Sequence, residues 1–161
     1  MLNKPQTSKE YFNLLSLLHL ALVFGVVVFV TIVYFLFFNE ENSNQNQTML
    51  IVVALISVVG FFGGRQMFRA RVQAASAEPQ LQNKLQAYRS ALIAQWFLLE
   101  LPALLGGIGF TMTSNLVFLA FSLLFLILLG LAYPSRERLL SHLELTPLQA
   151  AKVKDPNAIV T

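Results

Sequence analysis

Glu100 lies near the middle of an apolar run, Ala91–Met112, and a carboxyl at that depth is costly enough to demand a role. At about 100° per residue, Arg89, Trp96, Ala103, Gly107 and Thr111 fall on nearly the same helical stripe as Glu100. Ala103 and Gly107, four apart, would let another helix approach closely, so Glu100 is expected to face a helix and not lipid. Pro102 has no N–H to give the carbonyl of Leu98, which frees that acceptor and bends the helix. A carboxyl among small residues and a free carbonyl could relay a proton or cation, or anchor a partner subunit. The plainer alternative is a protonated Glu100 making one hydrogen bond between helices, worth about 0.6 kcal/mol on average.

Four other positions enter the same argument. His19 sits five residues into the first apolar run, so its ring is expected at the cytoplasmic surface with one edge in water. A pair with Glu100 is the alternative, since the two differ in depth by about four residues, or ~6 Å. Gly60 and Gly64, preceded by Ser57, form a G-x-x-x-G pair suited to close helix packing, within one chain or between chains. Gln95 lies about 140° around the helix from Glu100, so the two are not expected to form one site.

Catalytic chemistry finds little to work with. The chain has no cysteine and two histidines, and its one aspartate is Asp155, in the tail. No Ser/His/Asp set, paired carboxylates, phosphate loop or metal-ligand spacing can be assembled. The expectation is a non-enzyme with no cofactor and no bound metal.

The elements that must position these residues are membrane spans. Of 161 residues, 56% are hydrophobic and 12% charged, about half the charge of an ordinary soluble domain. Four apolar runs stand out: Leu14–Phe38, Met49–Gly64, Ala91–Met112 and Leu116–Tyr133. The second is short, but Phe68 and a snorkelling Arg65 extend it. The first is too long for the core of a secretory signal and has no small-residue cleavage site after it, so it is expected to be an uncleaved anchor. The fold class expected is all-α, a four-transmembrane-helix bundle. Helices two and three should extend into the cytoplasm, because Phe68 and Val72 continue one and Leu81, Leu85, Tyr88 and Leu92 lead into the other from Pro79.

Orientation follows from Lys and Arg. Lys4 and Lys9, the cluster Arg65, Arg69, Arg71, Lys84 and Arg89, and the tail's Arg136, Arg138, Lys152 and Lys154 occupy alternate connections. The loop Asn39–Thr48 has no basic residue and carries Glu40 and Glu41, and the turn Thr113–Asn115 is uncharged. Both termini and the middle loop are therefore expected in the cytoplasm, in a multi-pass protein of the inner membrane. The net charge of +3 is spent on this pattern, and no basic–aromatic patch suggests nucleic acid. Asn46-Gln47-Thr48 is a glycosylation sequon on the outer side, but it lies too near the bilayer to carry weight. The expected division is a cytoplasmic arm 1–13, a membrane domain 14–133 and a cytoplasmic tail 134–161. In the tail, Ser135 should cap a short helix with Leu139, Leu140 and Leu143 on one side, lying on the membrane surface. Thr146-Pro147 should start a second.

Two resemblances attach to Lys84–Asn115, KLQAYRSALIAQWFLLELPALLGGIGFTMTSN. The segment resembles a recurring one in an uncharacterised family of small four-span membrane proteins of the Bacteroidota type. These share its basic-Tyr-Arg entry, an acidic residue in the third span and a short outer turn, and the resemblance implies no activity. Glu100-Leu101-Pro102 followed by Gly106, Gly107 and Gly109 also resembles the second helix of the proton-carrying c subunit of rotary ATP synthases. That resemblance implies an ion-binding role for Glu100 alone. The partner helix departs from that family, since Met49–Gly64 is mostly large aliphatics, and this chain has two helices more.

The function expected is a non-catalytic integral membrane protein, a scaffold or accessory subunit organised around Glu100, with the bilayer, a second copy or another membrane subunit as partner. The alternatives are a proton- or cation-translocating subunit using Glu100, and a small four-span membrane enzyme of the glutathione-handling kind. The latter lacks an intramembrane arginine set to hold an anionic cofactor.

Overall fold

The computed structural model describes residues 6–38 and 46–160. Lys4, Glu40 and Glu41, which contribute to the expected orientation, lie outside the described residues. Six helices follow in order: α1 Ser8–Phe37, α2 Gln47–Ser76, α3 Leu81–Thr113, α4 Leu116–Leu131, α5 Arg136–His142 and α6 Pro147–Lys154. Among the described residues there is no strand, only an isolated bridge between Thr7 and Ile159.

Capping residues set the ends where the local sequence asks for them. Asn46, Asn115, Ser135 and Thr146 each accept a backbone N–H in the first turn of the helix that follows, satisfying donors that have no intrahelical partner. Thr146 and Gln149 complete a reciprocal capping box, with Pro147 in the first turn. Between α3 and α4, Ser114 adopts a φ of 49°, which ends α3 in the left-handed region. Helix α3 starts at Leu81 and runs without a break through Pro102 to Thr113. Its 33 residues reach ~50 Å, well beyond the ~30 Å of a bilayer core. Helix α2, with 30 residues, overshoots in the same way.

Helices α1, α2 and α3 are each long and apolar enough to cross a membrane. Helix α4 has 16 residues, ~24 Å, and counts as a fourth span only when joined with α5. The most apolar stretch of α1 is only 17% buried. Phe24, Phe35, Leu36, Ile127 and Leu131 are all exposed. Apolar area of that extent left outside the protein is consistent with a multi-pass membrane protein.

The chain divides into two compact units. One comprises Met1–His19, Gln66–Ala94 and Tyr133–Thr161, and the other Leu20–Arg65 and Gln95–Ala132. In the first, Leu15, Leu85, Tyr88, Leu92 and Leu139 are fully buried. The Tyr11 hydroxyl donates to Leu85 O at 2.7 Å, and Ser8 Oγ donates to Val153 O at 2.7 Å. Backbone bonds from Ser8 N to Ala158 O and from Val160 N to Gln6 O tie the start of the described chain to its end. The α5 expectation is corrected here. Leu139 and Leu143 are 0% and 4% exposed, so the apolar side of α5 is consumed by protein and is not left for the membrane surface. Phe68 gives the physical reason. Its ring meets Tyr88 at 5.9 Å and His142 at 5.3 Å, and the Arg138 guanidinium lies 5.6 Å above it, so α5 is held on α2 by aromatic and cation–π contacts.

In the second unit, Val33, Val53, Phe110 and Phe118 form the centre of the core, with Phe29, Met49 and Leu105 packed around them. That core takes residues from α1, α2, α3 and α4, which fixes how α3 is turned.

Candidate functional site: the Glu100 region of α3

Glycines and a proline decide the packing of α3. A β-carbon on Gly60 would lie 2.5 Å from Leu98 O and 2.8 Å from Pro102 Cγ. Gly60 belongs to a short π-helical stretch, Val59–Gly63, inside α2. The carbonyl that Pro102 deprives of its helical donor is therefore covered by the irregular turn of the neighbouring helix, two backbone defects face to face. One turn along, a β-carbon on Gly64 would meet Leu98 Cβ at 3.3 Å. The G-x-x-x-G pair thus packs inside one chain.

Other small residues of α3 serve α1 and α4. A β-carbon on Gly107 would lie 2.4 Å from Phe29 Cε1 on α1. On Gly106 it would lie 2.7 Å from Phe118 O and on Gly109 2.5 Å from Phe118 Cδ1, both on α4. Ala103 is fully buried, and its carbonyl accepts the Ser122 hydroxyl at 2.7 Å. Trp96, also fully buried, donates its indole N–H to Ala132 O at 3.0 Å. The stripe Trp96–Ala103–Gly107 is accordingly an internal packing surface, as its small residues suggest.

Glu100 stands at the edge of that stripe. It is half-buried and, among the described residues, has no hydrogen-bond or ion-pair partner. On its other flank Phe97 is 61% exposed, with Ile93, Leu101 and Ile108 exposed beside it. Residues 97, 100, 101 and 104 are neighbours on a helix surface, so the carboxyl borders an outward apolar strip and not the covered Leu98 carbonyl. Gln95 faces elsewhere and is buried, in keeping with its distance around the helix.

His19 belongs to the first unit and is 2% exposed, so the expected wet ring edge is absent. Its ring packs edge-on against Tyr133 at 5.5 Å, and the Tyr133 hydroxyl donates to Ser16 Oγ at 2.9 Å. Among the described residues no group of three His, Asp or Glu side chains could hold a metal ion.

The π-helical stretch and the Ser122–Ala103 bond were not anticipated from sequence. Three glycines in five residues, Gly60, Gly63 and Gly64, were the available signal for the first, since they lower the cost of an irregular turn. A lone serine in α4 offered none for the second.

No protein-family model matches the chain, and no curated protein or solved structure matches it.

Proposed function

We propose that this chain is a non-catalytic, four-span accessory subunit of the cytoplasmic membrane, with both termini in the cytoplasm, and that its outward α3 face docks a partner membrane helix through Glu100. One observation carries the proposal. The small residues around Glu100 are spent on packing within the chain, while Glu100 itself is half-buried and, among the described residues, without a partner, beside exposed Phe97 and Leu101. A carboxyl facing hydrocarbon is costly, and a neighbouring helix that offers a donor relieves the cost. Phe97, Leu101 and Leu104 supply the apolar surround such a contact needs, on a rigid helix.

The test is site-specific photocrosslinking in cells, with the crosslinker at Phe97 or Leu101 and a control at Leu124 on α4. A discrete heavier adduct from the two α3 positions, lost in Glu100→Ala and absent from the control, is expected. Adducts that ignore Glu100, or none at all, would remove the proposal. An adduct of twice the monomer mass identifies the partner as a second copy. A proteoliposome ion flux abolished by Glu100→Gln would replace docking with translocation.

A further inference from the structure

The head of α1 is closed by a distant piece of the chain. The first turn of a helix leaves N–H groups without an intrahelical acceptor. In α1 two of these are answered by the segment after α6. Ser8 N–H donates to Ala158 O at 2.9 Å, and Lys9 N–H donates to Pro156 O at 3.0 Å. Val160 N–H returns a bond to Gln6 O at 2.9 Å, and Thr7 and Ile159 face each other as an antiparallel bridge. The Ser8 hydroxyl adds a bond of 2.7 Å to Val153 O, one of the carbonyls that the last turn of α6 leaves free. The positive end of α1 thus meets the negative end of α6.

Little apolar surface backs these bonds. Asp155, Pro156, Asn157 and Ile159 are exposed, and within 154–160 only Val160 is buried. A segment held by exposed backbone hydrogen bonds and few buried apolar contacts opens at a lower free energy than the whole fold. Leu85, Tyr88 and Leu92 of the same unit are fully buried and belong at the other end of that range.

Each side of the contact keeps its shape without the other. Asp155 Oδ1 accepts Asn157 N–H at 2.9 Å and Asp155 O accepts Ala158 N–H at 3.3 Å, a turn with Pro156 at its second position. That turn carries both carbonyls that α1 uses. On the other side, Thr7 N–H donates to Glu10 Oε2 at 2.9 Å and Glu10 N–H to Thr7 Oγ1 at 3.3 Å, a capping box that braces α1 from within. Parting the two therefore breaks the bonds between them and spares the fold of each. We propose that residues 155–160 are a latch on the head of α1, which opens and recloses as one piece while the rest of the first unit stays folded. Opening detaches α1 from α6 and unfolds neither.

The bridge supplies a lock for the test. The bonds Ser8 N–H to Ala158 O and Val160 N–H to Gln6 O flank Thr7 and Ile159, which makes these two the close pair of an antiparallel ladder, with Cα atoms about 4.5 Å apart. A disulfide can span that separation. Hydrogen exchange, read by mass spectrometry on the full-length chain in detergent, is the measurement. Segments 6–10 and 155–160 should share one protection factor, at least tenfold below that of 85–92. In Thr7→Cys/Ile159→Cys the disulfide is unique, because the chain has no cysteine of its own. Oxidation should slow both segments at least tenfold against the reduced form of the same variant, which already lacks the Thr7 cap. Val160→Asp should speed both at least tenfold and leave 85–92 unchanged. The latch is overturned if the disulfide does not form, if the two segments differ in protection, or if both are as protected as 85–92. It is also overturned if Val160→Asp changes neither segment or loosens 85–92 with them.

Discussion

Gly60→Ala is the sharpest perturbation of the second unit. The added methyl would sit 2.5 Å from Leu98 O and 2.8 Å from Pro102 Cγ, and neither atom belongs to a flexible side chain. To bring the first contact to an ordinary 3.4 Å, α2 and α3 must part by about 0.9 Å, or the π-helical turn must rearrange. Overpacking of that kind costs about 1–3 kcal/mol. Gly25→Ala is the matched control, because a β-carbon there meets nothing within 4 Å. Both substitutions gain the same helix propensity, up to ~1 kcal/mol, so the difference between them isolates the clash. Trp96 is the chain's only tryptophan and is fully buried in the same unit. Its emission during titration of the detergent-solubilised protein with a denaturing detergent therefore reports unfolding there. Gly60→Ala should unfold ~1–3 kcal/mol more easily than Gly25→Ala, which should match or exceed the parent. Equal stability of the two variants would mean that Gly60 does not back onto Leu98, and the account of facing helix defects would fail.

Three further outcomes follow from the same contacts. Glu100→Gln should change the stability of the isolated protein by no more than about 0.5 kcal/mol, because among the described residues no partner is left unpaired; a loss above ~2 kcal/mol in the same titration would make Glu100 an internal structural residue. Ser122→Ala, which removes the 2.7 Å bond to Ala103 O, should cost about 0.6 kcal/mol and no more than ~1.7, a range set by hydrogen bonds between membrane helices. Single cysteines in this cysteine-free chain test the threading. A membrane-impermeant maleimide should label Asn46→Cys and Asn115→Cys in intact cells, but Gln73→Cys and Lys152→Cys only after permeabilisation; the reverse pattern would invert the orientation.

Much of the secondary structure could be read locally. Ser135 and Thr146 start α5 and α6, and Leu81, Leu85, Tyr88 and Leu92 carry α3 unbroken into its apolar run, because caps and i, i+4 spacing act within one or two turns. The span lengths and the asymmetry of Lys and Arg are likewise properties of consecutive residues. Ala103 and Gly107 differ from their large neighbours in a way that periodicity can register, and both are buried within the chain; Glu100, expected from the same stripe to face a helix, lies at its edge beside exposed Phe97.

Rotation about each helix was another matter. In a run that is apolar on every side, periodicity has no contrast to report, so nothing in the chain alone says which flank of α3 meets protein. Packing decided that Gly60 covers the carbonyl freed by Pro102 and that Glu100 falls on the outward edge of its stripe. Packing also buried His19 against Tyr133 and closed α5 onto Phe68, where position along the apolar run had suggested a wet ring and local amphipathicity a surface helix. Local bonding determines that a helix forms and where it ends; which of its sides is covered depends on the shapes of distant neighbours, and only the assembled fold brings those together.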